Sequence, residues 1–356
     1  MGKPAVTGAR DLHIDLNRKE LISKTGVVLH EGDVITLDGS SGTVFIGDIP
    51  LIDAIQDEDF ITILQWADKY KNLHVLANAD TPEEVQKALD LGAEGIGLCR
   101  MEHMFFQNER LHLFRRMILS ETDEERKAVL HDILPLLRQD FYEMIKLMSG
   151  LQVTIRLLDP PIHEFFPSPS RTDFRDEIFK MSGRLGISAE KCETQVLQLQ
   201  EKNPMLGCRG CRLSIIHSDI LEMQIRSIVG GALDAREEGK KVHLQIMIPL
   251  VFSDHELDCL TPYIVKIALE MCENYRCTLD DIGFELGAMI EVPRACIRAD
   301  KIATAKHIKF LSIGSNDLTQ LTFGLSRDDT QQFMVRLLLY FSSPHFMSLT
   351  VIAVLS

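Results

Sequence analysis

The sequence has no apolar run that approaches the roughly 20 residues needed to cross a membrane as a helix. Its C-terminal stretch SLTVIAVLS is apolar but too short, and MGKPAVTGARD at the N-terminus resembles neither a secretory signal nor a transit peptide. Basic residues are also scarce, with 38 Lys and Arg against 52 Asp and Glu, a net charge of −14. These absences predict a cytoplasmic protein with no membrane partner and no general affinity for nucleic acid.

The sequence also lacks a second cysteine pair that would complete a zinc site. Its eight cysteines are scattered, and only Cys208 and Cys211 form a CxxC. We expect reduced thiols, and a metal or redox role for this pair stays open. With 356 residues, 45% of them hydrophobic, the chain is long enough for about two domains with a substantial core.

The first 72 residues differ in pattern from the rest of the chain. Residues 1–50 predict β structure, with a hairpin in GDVITLDGSSGTVFIGD, but they hold too few large side chains for a core. Residues 51–72 carry apolar residues at helical spacing and predict a helical linker. From residue 73 onward, strand patterns alternate with helix patterns, which predicts a parallel sheet.

Seven segments after residue 72 have a strand pattern, one of them the strand-like turn NPMLGCRGCRL, and this number favours a (β/α)₈ barrel. Most of them end in a polar or charged residue: Asp80, Arg100, Arg156, Arg209, Glu291 and Asp317. Strand ends that meet solvent would explain one or two of these. A barrel would instead bring them together at one rim, where catalytic residues of this fold lie.

The residue types at these strand ends suit a small anion and a hard cation. Glu291 and Asp317 offer carboxylate oxygens, which Mg²⁺ prefers together with water and substrate. Arg100, Arg156 and Arg209 offer forked donors that match phosphate or carboxylate. The alternative is that these charges form structural ion pairs at the mouth of the barrel.

Six segments in order carry a family resemblance: GAEGIGLCRMEHMFF, TIRLLDPPIHEFFP, NPMLGCRGCRL, IMIPLV, GAMIEVPRA and GSNDLTQLTFGLSRDD. They resemble the phosphoenolpyruvate/pyruvate-binding barrel of the pyruvate, phosphate dikinases over about residues 1–333. RMEHMFF and RLLDPPIHEF resemble the dikinases more specifically than their relatives, phosphoenolpyruvate synthase and enzyme I of the sugar phosphotransferase system.

The resemblance implies a set of substrate contacts: Arg100, Arg156, Arg209, Glu291, Gly314, Ser315, Asn316 and Asp317. Glu291 and Asp317 would hold Mg²⁺. Arg100 and Arg156 would bind the phosphoryl group and the carboxylate of phosphoenolpyruvate, and together with Asn316 they would be the catalytic residues. The Asn316-Asp317 pair, which could otherwise be an ordinary turn, would thus be a substrate contact beside a metal ligand.

Some positions depart from the family pattern. Met101 and Ser315 stand where the family usually has Thr, and Cys208 where it often has His. None of the twelve His lies in the TSHAAVVAR-type motif of the phosphoryl-carrying histidine, and no GxCGE-type motif supplies the Cys thought to protonate the enolate. We therefore expect no complete synthesis of phosphoenolpyruvate from ATP, phosphate and pyruvate by this chain alone.

The resemblance also implies a domain plan. Residues 1–50 would be the C-terminal remnant of the swivelling phosphohistidine domain, and residues 51–72 the linker. Residues 73–333 would form the barrel without its last strand, and residues 334–356 a divergent apolar tail.

The resemblance implies a Mg²⁺-dependent transferase that moves a phosphoryl group between phosphohistidine and pyruvate. In the complete, ATP-binding enzyme the reaction is ATP + phosphate + pyruvate ⇌ AMP + diphosphate + phosphoenolpyruvate. The alternatives are a binding or regulatory remnant without turnover, a relative of the synthase or of enzyme I, and a product that does not fold stably. The small-molecule partner would be phosphoenolpyruvate or pyruvate. The protein partner would be a second copy of this chain in a homodimer, or a full-length dikinase in a heterodimer. A full-length relative could be plastid-located.

Overall fold

The computed structural model of the chain describes residues 11–50 except Asn17 and Ser40, residues 58–326 except Gln107, and the single positions Val6, Ala9 and Thr330. Two compact units divide the chain, Met1–Leu73 and His74–Ser356. Within the described ranges, no helix is long and apolar enough to cross a membrane. The predicted tail, residues 334–356, lies outside the described residues.

The first unit is built from short antiparallel strands and one helix. Its elements are β1 (Leu12–Asp15), β2 (Glu20–Ser23), β3 (Val28–His30), β4 (Ile35–Asp38), β5 (Thr43–Ile46) and α1 (Glu58–Tyr70). Strands β1, β2 and β3 form one sheet in that order, and β4 pairs with β5. The predicted hairpin is confirmed, with Ile35 opposite Ile46. Helix α1 lies within the segment for which a helix is predicted.

The second unit alternates strands and helices. Its strands are β6 (Ala77–Asn78), β7 (Gly95–Arg100), β8 (Gln152–Arg156), β9 (His243–Ile248), β10 (Glu285–Ile290) and β11 (Ile308–Ile313). Its helices are α2 (Pro82–Asp90), α3 (Met101–Phe105), α4 (Asn108–Ile118), α5 (Asp123–Leu147), α6 (Phe174–Leu185), α7 (Ala189–Gln198), α8 (Cys211–Ile216), α9 (Ser218–Glu237), α10 (Asp254–Asn274), α11 (Pro293–Ile297), α12 (Ala299–Ala303) and α13 (Ser315–Phe323).

The six strands form one parallel sheet in sequential order, β6-β7-β8-β9-β10-β11. Sequential parallel order is the arrangement of a (β/α) barrel, because each crossover helix returns the chain to the next position. Alternate side chains of a strand point to opposite faces of the sheet. Val153 and Ile155 of β8 belong to the buried apolar core, whereas the Thr154 hydroxyl between them donates a hydrogen bond to Gln245 Oε1 of β9. All six carboxyl ends therefore lie along one edge.

Local signals explain where helices begin. Thr81 caps α2 by accepting a hydrogen bond from the Glu84 backbone N–H, and Pro82 occupies the first helical position. Ser253 and Glu256 form a reciprocal capping box at the start of α10. The long helices α5, α9 and α10 contribute buried apolar residues to the same core as the strands.

The segment NPMLGCRGCRL, predicted as a strand-like turn and counted among the seven strand patterns, contains no strand, so counting it as one is wrong. Pro204–Leu206 form one 3₁₀ turn, and Cys211 begins α8. Gly210 between them has φ +59°, a left-handed conformation that interrupts any extended run. Strand β8 pairs directly with β9, and the sheet has six strands in the described ranges rather than the expected seven.

Candidate active site

The site lies at the carboxyl ends of four strands. Arg100 and Arg156 are register partners on β7 and β8, so the two arginines stand side by side. The Gly314 backbone N–H donates to Ile290 O at 3.0 Å, which holds the end of β11 against the end of β10. Glu291 follows β10 directly. The parallel sheet thus brings together groups that are far apart in the sequence.

A line of alternating charges runs across this edge. Arg156 contacts Glu102 Oε1 through Nη2 at 2.5 Å and Asp159 Oδ2 through Nη1 at 3.0 Å. Arg209 donates to both Asp159 oxygens, from Nε at 3.2 Å and Nη2 at 2.9 Å, and its Nη1 donates to Asp317 Oδ1 at 2.9 Å. Asp159 therefore links both guanidiniums, and Arg209 connects it to Asp317.

The inner half of this line is buried and incompletely paired. Glu102 is only 2% exposed and Asp159 only 3%. Glu102 Oε2 and Arg156 Nε have no hydrogen-bond partner. Burial raises the pKa of Glu102, and the charge of Arg156 opposes that rise only in part. An unpaired buried polar atom costs about 1–3 kcal/mol, so these atoms are available to a ligand or water.

Glu291 is the most buried carboxylate at the edge, at 1% exposure. Its Oε1 accepts a hydrogen bond from the Leu250 backbone N–H at 2.7 Å. Burial raises the pKa of Glu291 to about 8, and the charges of Asp159 and Asp317 add to the rise. Glu291 is therefore within electrostatic reach of two further carboxylates and of the Arg156 guanidinium, whose charge opposes the rise.

Glycine at position 314 lets the backbone pack closely against Glu291. A Cβ placed on Gly314 would lie 2.5 Å from Glu291 Oε2, closer than any real contact of that kind. The absence of a side chain at this position allows the end of β11 to lie against that oxygen. Gly210 has a related role, because a Cβ there would lie 2.7 Å from the Cβ of Leu250. Its left-handed backbone and its N–H bond to Asp159 O, at 2.8 Å, fix the position of Arg209.

An open cleft of about 950 Å³ adjoins these groups. The predicted site residues that line it are Arg209, Asn316 and Asp317, and Asp159 lines it with them. Asn316 and Asp317 lie in the first turn of α13. The cleft is large enough for a small organic anion.

These donors fit a hard divalent cation. Glu291 Oε2 and Asp317 offer carboxylate oxygens, and Mg²⁺ needs only one or two protein carboxylates because it keeps water and substrate ligands. In the described part of the chain, no group of three or more His, Cys, Asp or Glu is arranged to hold a metal ion. The protein would thus supply a partial ligand set.

The other predicted residues are placed as follows. Arg100 lies beside Asp80, with Nη1 3.9 Å from Asp80 Oδ2, and its backbone N–H donates to Asp80 Oδ1 at 2.6 Å. His103 Nδ1 lies 2.6 Å from Asp80 Oδ2. Ser315 begins α13 and is exposed. Arg100, Arg156 and Glu291 do not line the cleft.

Glu102 and Asp159 are not among the residues predicted from the sequence. Both lie two or three residues beyond an arginine that was predicted, in CRMEHM and IRLLDPP. The sequence prediction considered only the last polar residue of each strand. Including the next three residues after Arg100 and Arg156 would have included both carboxylates. The signal was therefore present in the sequence, just beyond the last residue of each strand.

Comparisons with known proteins agree with this architecture. The family model of the PEP-utilising enzyme, PEP-binding domain, matches residues 55–355. Pyruvate, phosphate dikinase of Rhizobium meliloti is 46% identical over 335 residues, covering 94% of this chain and 36% of that protein. The protein of the same name from Entamoeba histolytica is 45% identical over 337 residues, covering 93% and 37%.

A plant relative matches over a similar length. Pyruvate, phosphate dikinase 1, chloroplastic, of Arabidopsis thaliana is 41% identical over 333 residues, covering 94% of this chain and 34% of that protein. The chain thus spans about a third of the length of the curated relatives it matches. The family match reaches residue 355, beyond the point near 333 where we expected the resemblance to end.

Fold and site together define a TIM-barrel-type α/β protein with a line of alternating charges at the carboxyl ends of its strands. The chain belongs to the PEP-utilising enzymes, through their PEP-binding domain. The expected fold class is confirmed.

Proposed function

We propose that this chain binds phosphoenolpyruvate or pyruvate together with Mg²⁺ at the carboxyl ends of its strands. In a complete dikinase this would be the half-reaction in which a phosphoryl group passes between phosphohistidine and pyruvate. The observation that carries the proposal is the line of alternating charges from Glu102 to Asp317 beside buried Glu291. The names of the relatives favour a dikinase over the synthase or enzyme I.

The chemistry of the substrate matches these groups. Phosphoenolpyruvate carries a phosphoryl group and a carboxylate, which guanidinium forks such as that of Arg156 bind in two-point contacts. A divalent cation held by Glu291 and Asp317 would supply positive charge beside a developing enolate oxygen. Asn316, at the wall of the cleft, would direct its amide at the same substrate.

The proposal is tested by exchange of the pyruvate methyl protons in D₂O, followed by ¹H NMR, because this step needs no phosphoryl donor. We expect Mg²⁺-dependent exchange only slightly faster than with Mg²⁺ alone, because the metal site would stabilise the enolate while no GxCGE-type Cys handles its proton. This gain should be lost in Asp317→Ala. Asp258→Ala, which removes an exposed carboxylate of α10, is the control with the same change of charge. Exchange that survives Asp317→Ala would contradict the site.

The same samples separate catalysis from binding alone. Oxalate has the shape and charge of the pyruvate enolate and is titrated in the presence of Mg²⁺. Oxalate binding with methyl exchange supports the half-reaction. Oxalate binding without exchange would replace it by a binding or regulatory role, and absence of both would overturn the proposal.

A further inference from the structure

Arg209 contacts Asp317, one of the two carboxylates proposed to bind the metal ion. Its Nη1 donates to Asp317 Oδ1 at 2.9 Å, and the opposite edge of the guanidinium is held by both oxygens of Asp159. The Arg209 side chain is 10% exposed and that of Asp317 is 17% exposed, so water screens this pair poorly. Asp317 already has a cation of the protein as a neighbour.

We propose that Arg209 is the resident counter-ion of this carboxylate cluster and competes with a divalent cation for Asp317. The inference rests on the proposed metal site at Glu291 and Asp317. It makes Arg209 a residue that sets metal affinity as well as a contact for the anion.

The surroundings prevent Arg209 from simply moving away. Asp159 holds it by two hydrogen bonds, and Gly210, next in the chain, is fixed by its own bond to Asp159 O. A cation bound by Asp317 would therefore stay within a few ångströms of a guanidinium. At such separations, like charges in a poorly solvated site repel strongly.

This arrangement couples cation and anion. A phosphoryl or carboxylate group placed between the metal and Arg209 would relieve the repulsion. It would also accept the hydrogen bond from Arg209 Nη1 that Asp317 no longer accepts. Metal without an anion would bind weakly, and each ligand would favour the other. The cleft, which Arg209 and Asp317 both line, has room for that anion.

The opposite role is that Arg209 aligns Asp317 for the metal. Loss of the guanidinium would then weaken metal binding, whereas competition predicts the reverse. The two roles therefore differ in the sign of one measured effect.

The test is titration of the 356-residue chain with Mn²⁺ alone, with free Mn²⁺ followed by electron paramagnetic resonance at low ionic strength. We expect Arg209→Gln to bind Mn²⁺ at least about tenfold more tightly than the unaltered protein. Arg209→Lys, which keeps the charge, should bind far less tightly than Arg209→Gln. Arg171→Gln removes an exposed arginine that also pairs with an aspartate, and should change nothing. Equal or weaker binding by Arg209→Gln would overturn the inference.

Two further samples keep the result interpretable. Asp159→Asn is compared with Asp159→Asn/Arg209→Gln, so that the loss of Arg209 is measured without leaving a charged Asp159 unpaired. The double variant should bind Mn²⁺ more tightly than Asp159→Asn. The unaltered protein is also titrated with Mn²⁺ and oxalate together. No binding there would refute the proposed function, whereas binding there without tightening in Arg209→Gln refutes only the competition.

Discussion

Asp159 is the residue whose neutralisation should cost the fold most. It is 3% exposed and contacts Arg156 at 3.0 Å and Arg209 at 2.9 and 3.2 Å. Asp159→Asn keeps the shape of the side chain but removes the charge that both guanidiniums share. Removing one partner of a buried ion pair typically costs about 3–5 kcal/mol, because the other charge is left uncompensated.

We therefore expect the free energy of unfolding to fall by about 3–5 kcal/mol in Asp159→Asn. The matched control is Asp173→Asn. Asp173 also accepts two hydrogen bonds from one arginine, Arg171, but that pair is exposed, and we expect a loss below about 1 kcal/mol.

The assay is urea denaturation followed by circular dichroism at 222 nm. The only tryptophan, Trp66, belongs to the other unit, whereas the helices α2 to α13 lie in the unit that holds this site, so the helical signal is the one followed. A change in midpoint at constant slope gives the difference in stability. If Asp159→Asn lost no more than Asp173→Asn, Asp159 would not be the hub of a buried charge network.

Three other predictions concern the site and the pH dependence of stability. Gly314→Ala should abolish Mn²⁺ binding in the presence of oxalate, because its Cβ would press on Glu291 Oε2; Gly183→Ala, where a Cβ meets nothing within 4 Å, should bind normally. Arg156→Lys should weaken phosphoenolpyruvate binding in calorimetric titrations although the charge is kept, and unchanged affinity would argue against a forked contact. Burial raises the pKa of Tyr263 to about 12. The folded protein then keeps that proton above pH about 10, where the unfolded chain loses it, so stability should fall as pH rises from about 10 to about 12, and Tyr263→Phe should remove part of that fall in urea titrations.

Sequence patterns were sufficient to predict the type of an element where nearby residues determine its structure. Strands β8, β9 and β10 are largely buried and rich in apolar residues, and α2 has both its cap and its proline, so their types could be predicted. The segment NPMLGCRGCRL failed because its apolar residues fit several structures. Its outcome depends on Gly210, whose left-handed backbone is set by packing against Leu250 and Asp159.

The site was predictable in its residue types and only partly in its pairings. Parallel strands must place their carboxyl ends along one edge, so Arg156, Glu291 and Asp317 could be assigned to it from order alone. Which carboxylate faces which guanidinium depends on register and side-chain conformation. Asp159 pairs with a residue 50 positions away, and no local pattern reports such a contact.

The central claim is that Glu291 and Asp317 hold a divalent cation, and that the anionic substrate binds to this cation and to the protein together. Its most direct measurement is calorimetric titration of the chain with oxalate in the presence of Mn²⁺, compared with Asp317→Ala and with the control Asp258→Ala. We predict binding to the unaltered protein and to Asp258→Ala that requires Mn²⁺, and none to a folded Asp317→Ala. Oxalate binding that is equally strong without Mn²⁺, or that persists in Asp317→Ala, would contradict the account.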